Sequence, residues 1–160
     1  MSVFLSDNEI EKLLIEIKPL PDNYRTRIQV RPKRGHKESE LDIKGDQDND
    51  FRLIIRQSTI NPFDFSIILA YIPPRSNLIF RLRRYNGKSH EHTNSIENVT
   101  FYDYHIHYAT ERYQVLGARE DSYAEPTNEY SDLQQAVKCM IRDCGFQMPL
   151  DPQGTLFEDM

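Results

Sequence analysis

The sequence predicts a single α+β domain, a mainly antiparallel sheet of about six strands with an N-terminal and a C-terminal helix. Several segments alternate apolar and polar residues with a period of two, and two segments repeat apolar residues at helical spacing. No internal repeat or low-complexity linker divides the sequence. At 160 residues and 18.9 kDa, the chain can bury a core without disulfides or metal. We expect one domain over 1–146 and a C-terminal tail over 147–160.

Both predicted helices have start and stop signals. Ser6 and Glu9 form a capping box ahead of apolar residues at helical spacing, and Pro19 ends that pattern. Near the other end of the chain, Ser131 is the expected N-cap of a helix that stops at Gly145.

Charge complementarity predicts a strand pair over 24–32 and 38–44. Both segments alternate with a period of two, and a turn between them sets Arg31 opposite Glu40. The basic run 25–34 is also compatible with a nucleic-acid stripe. Because the partner strand carries carboxylates opposite these basic residues, we interpret the run as one side of a ladder of ion pairs within the sheet.

Four more strands follow from apolar patterning, over 51–56, 65–72, 78–85 and 101–108. The segment 65–72 is apolar on both faces, which is typical of a central strand. In the last strand, His105 and His107 alternate with Ile106 and Tyr108, so the two histidines share a face. The segment 111–128 shows no decisive period.

Composition excludes several classes of protein. Twenty Lys and Arg against 25 Asp and Glu give a net charge of −5, which excludes a generic polyanion binder. No apolar run is long enough for a membrane span, and no signal peptide is recognisable, so we expect a cytoplasmic protein. Cys139 and Cys144 lie five residues apart on one predicted helix, too far for a disulfide, and are interpreted as core residues.

The histidines are unevenly distributed. Four of the five lie within the eighteen residues 90–107, as two His-x-His pairs, and follow a run with five basic residues and no acid over 75–90. If the fifth and sixth predicted strands pair, one polar sheet face is expected to collect several of these side chains. That set comprises Arg81, Arg83, Tyr85, Asp103, His105 and His107.

This polar face supports two hypotheses about anions. The first is a binding or interaction module for phosphate or RNA, in which Arg81, Arg83, Tyr85 and Arg112 bind the ligand. The second is an RNase-like phosphodiesterase or toxin-type nuclease, since imidazoles can serve as base and acid near pH 7. Its candidate catalytic residues are His90, His92, His105 and His107.

A metal site is a further alternative, because His-x-His on a strand can chelate one ion. His105, His107 and Glu111 resemble the first cupin motif, with His90 or His92 available to complete the set, although Val99 stands where a cupin has glycine. The remaining interpretation is a solvated sheet face with no ligand. We expect no cofactor, and leave a protein partner or homo-oligomer open.

The segments 83–94, 105–107 and 110–114 resemble an uncharacterised family of small bacterial and archaeal proteins. The resemblance extends over roughly residues 50–145. It implies a prokaryotic cytosolic protein and carries no assigned activity. The resemblance includes the same histidines and arginines, which stay the candidate site residues.

Overall fold

The computed structural model describes residues 3–150. Its helices are α1 (Asp7–Ile15), α2 (Tyr24–Arg27), α3 (Glu111–Val115) and α4 (Leu133–Asp143). Its strands are β1 (Lys18–Pro19), β2 (Arg31–Lys33), β3 (His36–Lys44), β4 (Asp50–Ser58), β5 (Phe65–Ile72), β6 (Phe80–Asn86), β7 (His92–Asn94), β8 (Val99–Phe101), β9 (His105–Tyr108), β10 (Tyr123–Pro126) and β11 (Phe146–Gln147). Within these residues, no helix is both long and apolar enough to cross a membrane.

Seven strands form one antiparallel sheet in the order β10-β9-β6-β5-β4-β3-β2. The predicted single α+β domain is confirmed, and β5 is the middle strand, as its apolar run predicts. The side chains of α1 and α4 form one core with one side of the sheet, which we call the helix face. The opposite side, which carries His105 and His107, is the histidine face.

Local signals place both long helices. The capping box of Ser6 and Glu9 is present at the start of α1. The N-cap of α4 is Asp132, because its carboxylate accepts from Gln135 N, whereas the predicted cap Ser131 instead donates to the Gln135 side chain. Gly145 ends α4 as predicted, with a φ of 76°.

The chain ends of α1 and α4 are joined by the parallel pair β1 and β11. Lys18 is fully buried there, and its ammonium donates to carbonyl oxygens at the ends of both helices. A Cβ on Gly145 would lie 2.4 Å from the Glu16 carbonyl oxygen, so this junction requires glycine. The predicted tail begins at Gln147, which pairs in β11, and its residues 151–160 lie outside the described residues.

The predicted first strand, 24–32, is wrong. Tyr24–Arg27 forms a helical turn that buries Tyr24, and only Arg31–Lys33 is extended. The hairpin register also shifts by two residues, so Arg31 faces Glu38 and not Glu40. The carboxylates of β3 form ion pairs mainly with basic residues of β4, as Glu38 does with Arg56.

The predicted strand 101–108 is divided in two. Val99–Phe101 turns back on His92–Asn94 as a separate hairpin, and His105–Tyr108 joins the main sheet. A residue in the left-handed region, Asn98 with a φ of 56°, lies in the hairpin turn, where asparagine is tolerated. This hairpin, β7–β8, folds a segment predicted as loop over the histidine face.

Candidate functional site

Three histidines meet on the histidine face, two from β9 and one from the β7–β8 hairpin. His105 and His107 occupy alternate positions of β9, so they point the same way. The ring centroid of His92 lies 5.5 Å from that of His105 and 4.9 Å from that of His107. One ring nitrogen of each residue lies within 4.8 Å of the other two. We call His92, His105 and His107 the histidine cluster.

Backbone carbonyls fix the tautomers of the two strand histidines. His105 Nδ1 lies 2.8 Å from the Asp103 carbonyl oxygen, and His107 Nδ1 lies 2.7 Å from that of Asp121. A carbonyl only accepts, so each Nδ1 carries the hydrogen and each Nε2 keeps a lone pair. Burial lowers the pKa of His105 to about 4 and that of His107 to about 2, so both rings are neutral at pH 7.

Asn94 orients the third histidine. Its side-chain amide donates to the Ala124 carbonyl and accepts from the Ala124 N–H, which fixes which atom is oxygen and ties the hairpin to β10. His92 Nε2 lies 2.8 Å from that same oxygen and must donate to it. The lone pair of His92 is therefore on Nδ1.

Asp121 supports the cluster from behind. Its carbonyl accepts from His107, and its fully buried carboxylate accepts from Arg84 Nε at 2.9 Å and Arg119 Nε at 2.6 Å. One carboxylate thus holds two guanidinium groups, which leaves a net charge of +1 beside the histidines. Burial is the main cause that lowers the pKa of Arg84.

The cluster borders a pocket of about 350 Å³. Its lining combines imidazoles, guanidinium groups and hydroxyls, and contains no carboxylate among residues 3–150. The lining residues are Arg84, His90, His92, Thr93, Ser95, His107, Tyr113, Ala118, Arg119 and Ser122. Solvent and small molecules can therefore reach two members of the cluster.

The prediction that Arg83 and Tyr85 share a face with the histidines is wrong. In the β6–β9 pairing, Arg84 is opposite His107, whereas Tyr85 is opposite Ile106 on the helix face. The register shifts in β6 after Arg81, which places an extra residue in that strand and reverses the later side chains. Arg83 there stacks over the Tyr108 ring, and Tyr85 donates to Asp143.

The other predicted arginines already have carboxylate partners. Arg81 pairs with Glu120 at 3.3 Å, and Arg112 pairs with Glu97 at 2.6 Å. The run over 75–90 is therefore partly neutralised by acids from later in the chain, which a count along the sequence does not reveal.

Glu111 and His90 lie apart from the three-nitrogen group. The Glu111 carboxylate accepts from the backbone N–H of Asp7, the first residue of α1. His90 is exposed, contacts Ser89 through Nδ1 and lines the pocket, with its ring centroid 6.3 Å from that of His105. Of the proposed completing ligands, His92 is the one that the fold brings to the strand pair.

Sequence reasoning missed Asn94, Arg119 and Asp121. Asn94 follows His92 at a spacing of two, which is a usable signal on a strand but not in the loop predicted for that segment. Arg119 and Asp121 fall in the segment without a decisive period, and their importance depends on contacts with Arg84 and His107 far along the chain.

Residues 5–145 match a sequence family described as a family of unknown function, DUF6978. Neither the curated proteins nor the solved structures yield a match.

Proposed function

Because the chain belongs to the DUF6978 family, whose function is unknown, we propose a function from its own geometry: it binds a divalent transition metal through His92, His105 and His107. The observation that carries this proposal is the convergence of three ring nitrogens within 4.8 Å. Three imidazoles and one open position form a typical catalytic zinc set, so zinc is the metal we propose.

The protonation state suits a cation. Each imidazole carries one lone pair, on Nδ1 of His92 and on Nε2 of His105 and His107. That of His105 accepts a long hydrogen bond of 3.5 Å from Asn86 Nδ2, which a metal would displace. Metal-bound histidines usually donate their other N–H to a carbonyl or a carboxylate, and all three here already donate to an oxygen. The pKa values of His105 and His107, lowered to about 4 and about 2 by burial, remove competition from protons at pH 7.

Binding requires a small contraction of the cluster. Zinc–nitrogen bonds of about 2.05 Å in a tetrahedron separate neighbouring nitrogens by about 3.4 Å, less than the 4.8 Å limit observed. His105 and His107 are fixed on the sheet, whereas His92 belongs to a three-residue strand of a separate hairpin. We expect the ring of His92 to shift, since Asn94 holds the backbone of its hairpin to β10.

An RNase-like mechanism fits the same histidines less well. A general acid must hold a proton near pH 7, and the lowered pKa values of His105 and His107 make both strand histidines poor donors. The ring centroids of the cluster are 4.9–5.5 Å apart, which is too close for a phosphate to lie between two imidazoles. RNA binding and cleavage stay predictions to be tested.

Calorimetric titration of chelator-treated protein with zinc tests the proposal. We expect one site per chain. At a free zinc concentration of a hundred times Kd, binding should add about 2.7 kcal/mol to the free energy of unfolding, which raises the melting temperature by about 5–10 °C. His92→Gln is expected to weaken zinc at least about 100-fold, more than loss of a supporting hydrogen bond usually does. His92 is chosen because it is the partly exposed member of the cluster.

His90→Gln is the matched control, two residues away and outside the three-nitrogen group. It is expected to leave zinc affinity within about twofold, an effect below 0.5 kcal/mol. Absence of zinc binding by the parent protein, or equal losses in the two variants, would overturn the metal site.

A further inference from the structure

The pocket beside the histidine cluster has an excess of positive charge. Arg84 and Arg119 share the single carboxylate of Asp121, so these three groups sum to +1, and the pocket lining adds no acid within residues 3–150. A divalent metal on the neutral histidines would raise the local charge to +3. Uncompensated charge of this size in a partly enclosed site is costly, so we expect the site to attract anions.

The donors of this pocket suit a ligand rich in oxygen acceptors. Within residues 3–150, Arg84 uses only Nε in hydrogen bonds, which leaves its two terminal nitrogens available. Arg119 is half exposed at the pocket wall. The hydroxyls of Thr93, Ser95 and Ser122 line the same space. Ser122 Oγ already donates to the Arg119 carbonyl and Thr93 Oγ1 shares a hydrogen bond with Thr100 Oγ1, so the two arginines are the main donors.

We propose that this pocket binds the phosphoryl group of a small phosphate ester, with one oxygen completing the coordination of the metal. The remaining phosphoryl oxygens accept from Arg84 and Arg119, because guanidinium groups match phosphate with paired N–H donors. This inference rests on the proposed metal site and adds the chemistry of its ligand.

Phosphate is favoured over carboxylate by the number of donors. A carboxylate has two oxygens, and metal coordination would leave one for the guanidinium groups of Arg84 and Arg119. A phosphate monoester offers three terminal oxygens to the same set. The pocket volume of about 350 Å³ exceeds the space that inorganic phosphate needs and lies in the range of small-molecule sites.

The experiment uses the full chain loaded with one equivalent of Co²⁺, whose visible spectrum reports the ligands of the metal. Inorganic phosphate and glycerol 2-phosphate are titrated separately, with acetate as the carboxylate control. We expect both phosphates to change the spectrum at lower concentration than acetate, and the ester to bind more tightly than the ion. Equal midpoints for acetate and phosphate would overturn the assignment of ligand class, as would an ester weaker than the ion.

Arg119→Gln is the test variant, since Asp121 keeps Arg84 as a partner. Loss of one charge-assisted hydrogen bond is expected to weaken phosphate about tenfold while cobalt affinity changes little. Arg119→Lys keeps the charge without the paired donors, and its phosphate affinity is expected to lie between those of the parent protein and Arg119→Gln. Arg52→Gln is the matched control, because Arg52 on β4 pairs with Asp42 on β3 and does not line the pocket.

The outcomes separate this inference from the proposed function. Cobalt binding with a spectrum that phosphate does not change overturns the phosphoryl site alone. Failure of both cobalt and zinc to bind overturns the metal site. If the metal-free chain binds phosphate as tightly as the metal-loaded chain, the metal does not coordinate the anion, and the proposed coordination is overturned. Equal weakening by Arg119→Gln and Arg52→Gln would show a diffuse charge effect and overturn the assigned contacts.

Discussion

Charged side chains are arranged differently at the two ends of the main sheet, around β3 and β4 and around β6 and β9. On β3 and β4, Glu38 faces Arg56 and Asp42 faces Arg52 across the ladder, and all of these side chains except that of Glu38 are at least partly exposed. At the β6–β9 end, His105, His107 and Asp121 are buried, and the Asp121 carboxylate holds two arginines beside the histidines. Exposed pairs can be lost singly at little cost, whereas the buried groups depend on one another.

The largest difference between the two ends is expected from removing one carboxylate charge at each. Asp121→Asn leaves Arg84 without its buried counter-ion and should lower the free energy of unfolding by about 3–5 kcal/mol. Asp42→Asn, whose side chain is 63% exposed, should cost at most about 1 kcal/mol. Urea unfolding of both variants measures this, and equal losses would mean that the buried end is no more interdependent than the ladder.

Acid is expected to begin weakening the histidine cluster of the metal-free protein at a higher pH than the ladder. The unfolded chain takes up a proton at His105 near pH 6.5, while the native state holds that ring neutral down to about pH 4. Its contribution is complete above pH 6.5 and is lost as the pH falls toward 4, by about 1.4 kcal/mol per pH unit. Unfolding at several pH values should show this slope reduced in His105→Gln.

The ladder is expected to respond at lower pH. Hydrogen bonds from Arg56 and then Lys33 lower the pKa of Glu38 from 4.5 to about 2. The stabilisation is therefore present above pH 4.5 and is lost as the pH falls from 4.5 toward 2. Glu38→Gln should flatten the stability profile only in this lower window; a change between pH 6.5 and 4.5 would contradict the separation of the two ends.

The smallest expected effect is the coupling between individual ladder residues. A double-mutant cycle of Glu38→Gln and Arg56→Gln should give about 0.2–1 kcal/mol, as for other surface ion pairs. The same cycle on Arg31 and Glu40, which the hairpin register does not place opposite each other, should give a value near zero. Coupling between Arg31 and Glu40, with none between Glu38 and Arg56, would instead support the register expected from the sequence.

Local patterns in the sequence were sufficient where the structure depends on neighbours along the chain. The capping box at Ser6, the stop at Gly145 and the central strand over 65–72 all follow from residues within a few positions of one another. The shared direction of His105 and His107 follows from strand geometry in the same way.

Local patterns were insufficient where the outcome depends on which strand becomes the partner. The acids of β3 are compatible with the basic run before them and with the arginines of β4, and only the assembled sheet selects Arg56 for Glu38. Similarly, one extra residue in β6 turns Tyr85 to the helix face, and a period-two pattern cannot reveal a bulge that arises from pairing with β5.

The sequence by itself therefore determined the fold class, the start of α1, the stop of α4 and the direction of the two strand histidines, because each depends on short-range sterics and periodicity. The tertiary structure decided the candidate site. It brings His92 to the cluster through a hairpin fastened by Asn94, and it places Asp121 behind His107 through a backbone carbonyl. A carbonyl is present in every residue, so its role as a hydrogen-bond acceptor leaves no trace in the sequence.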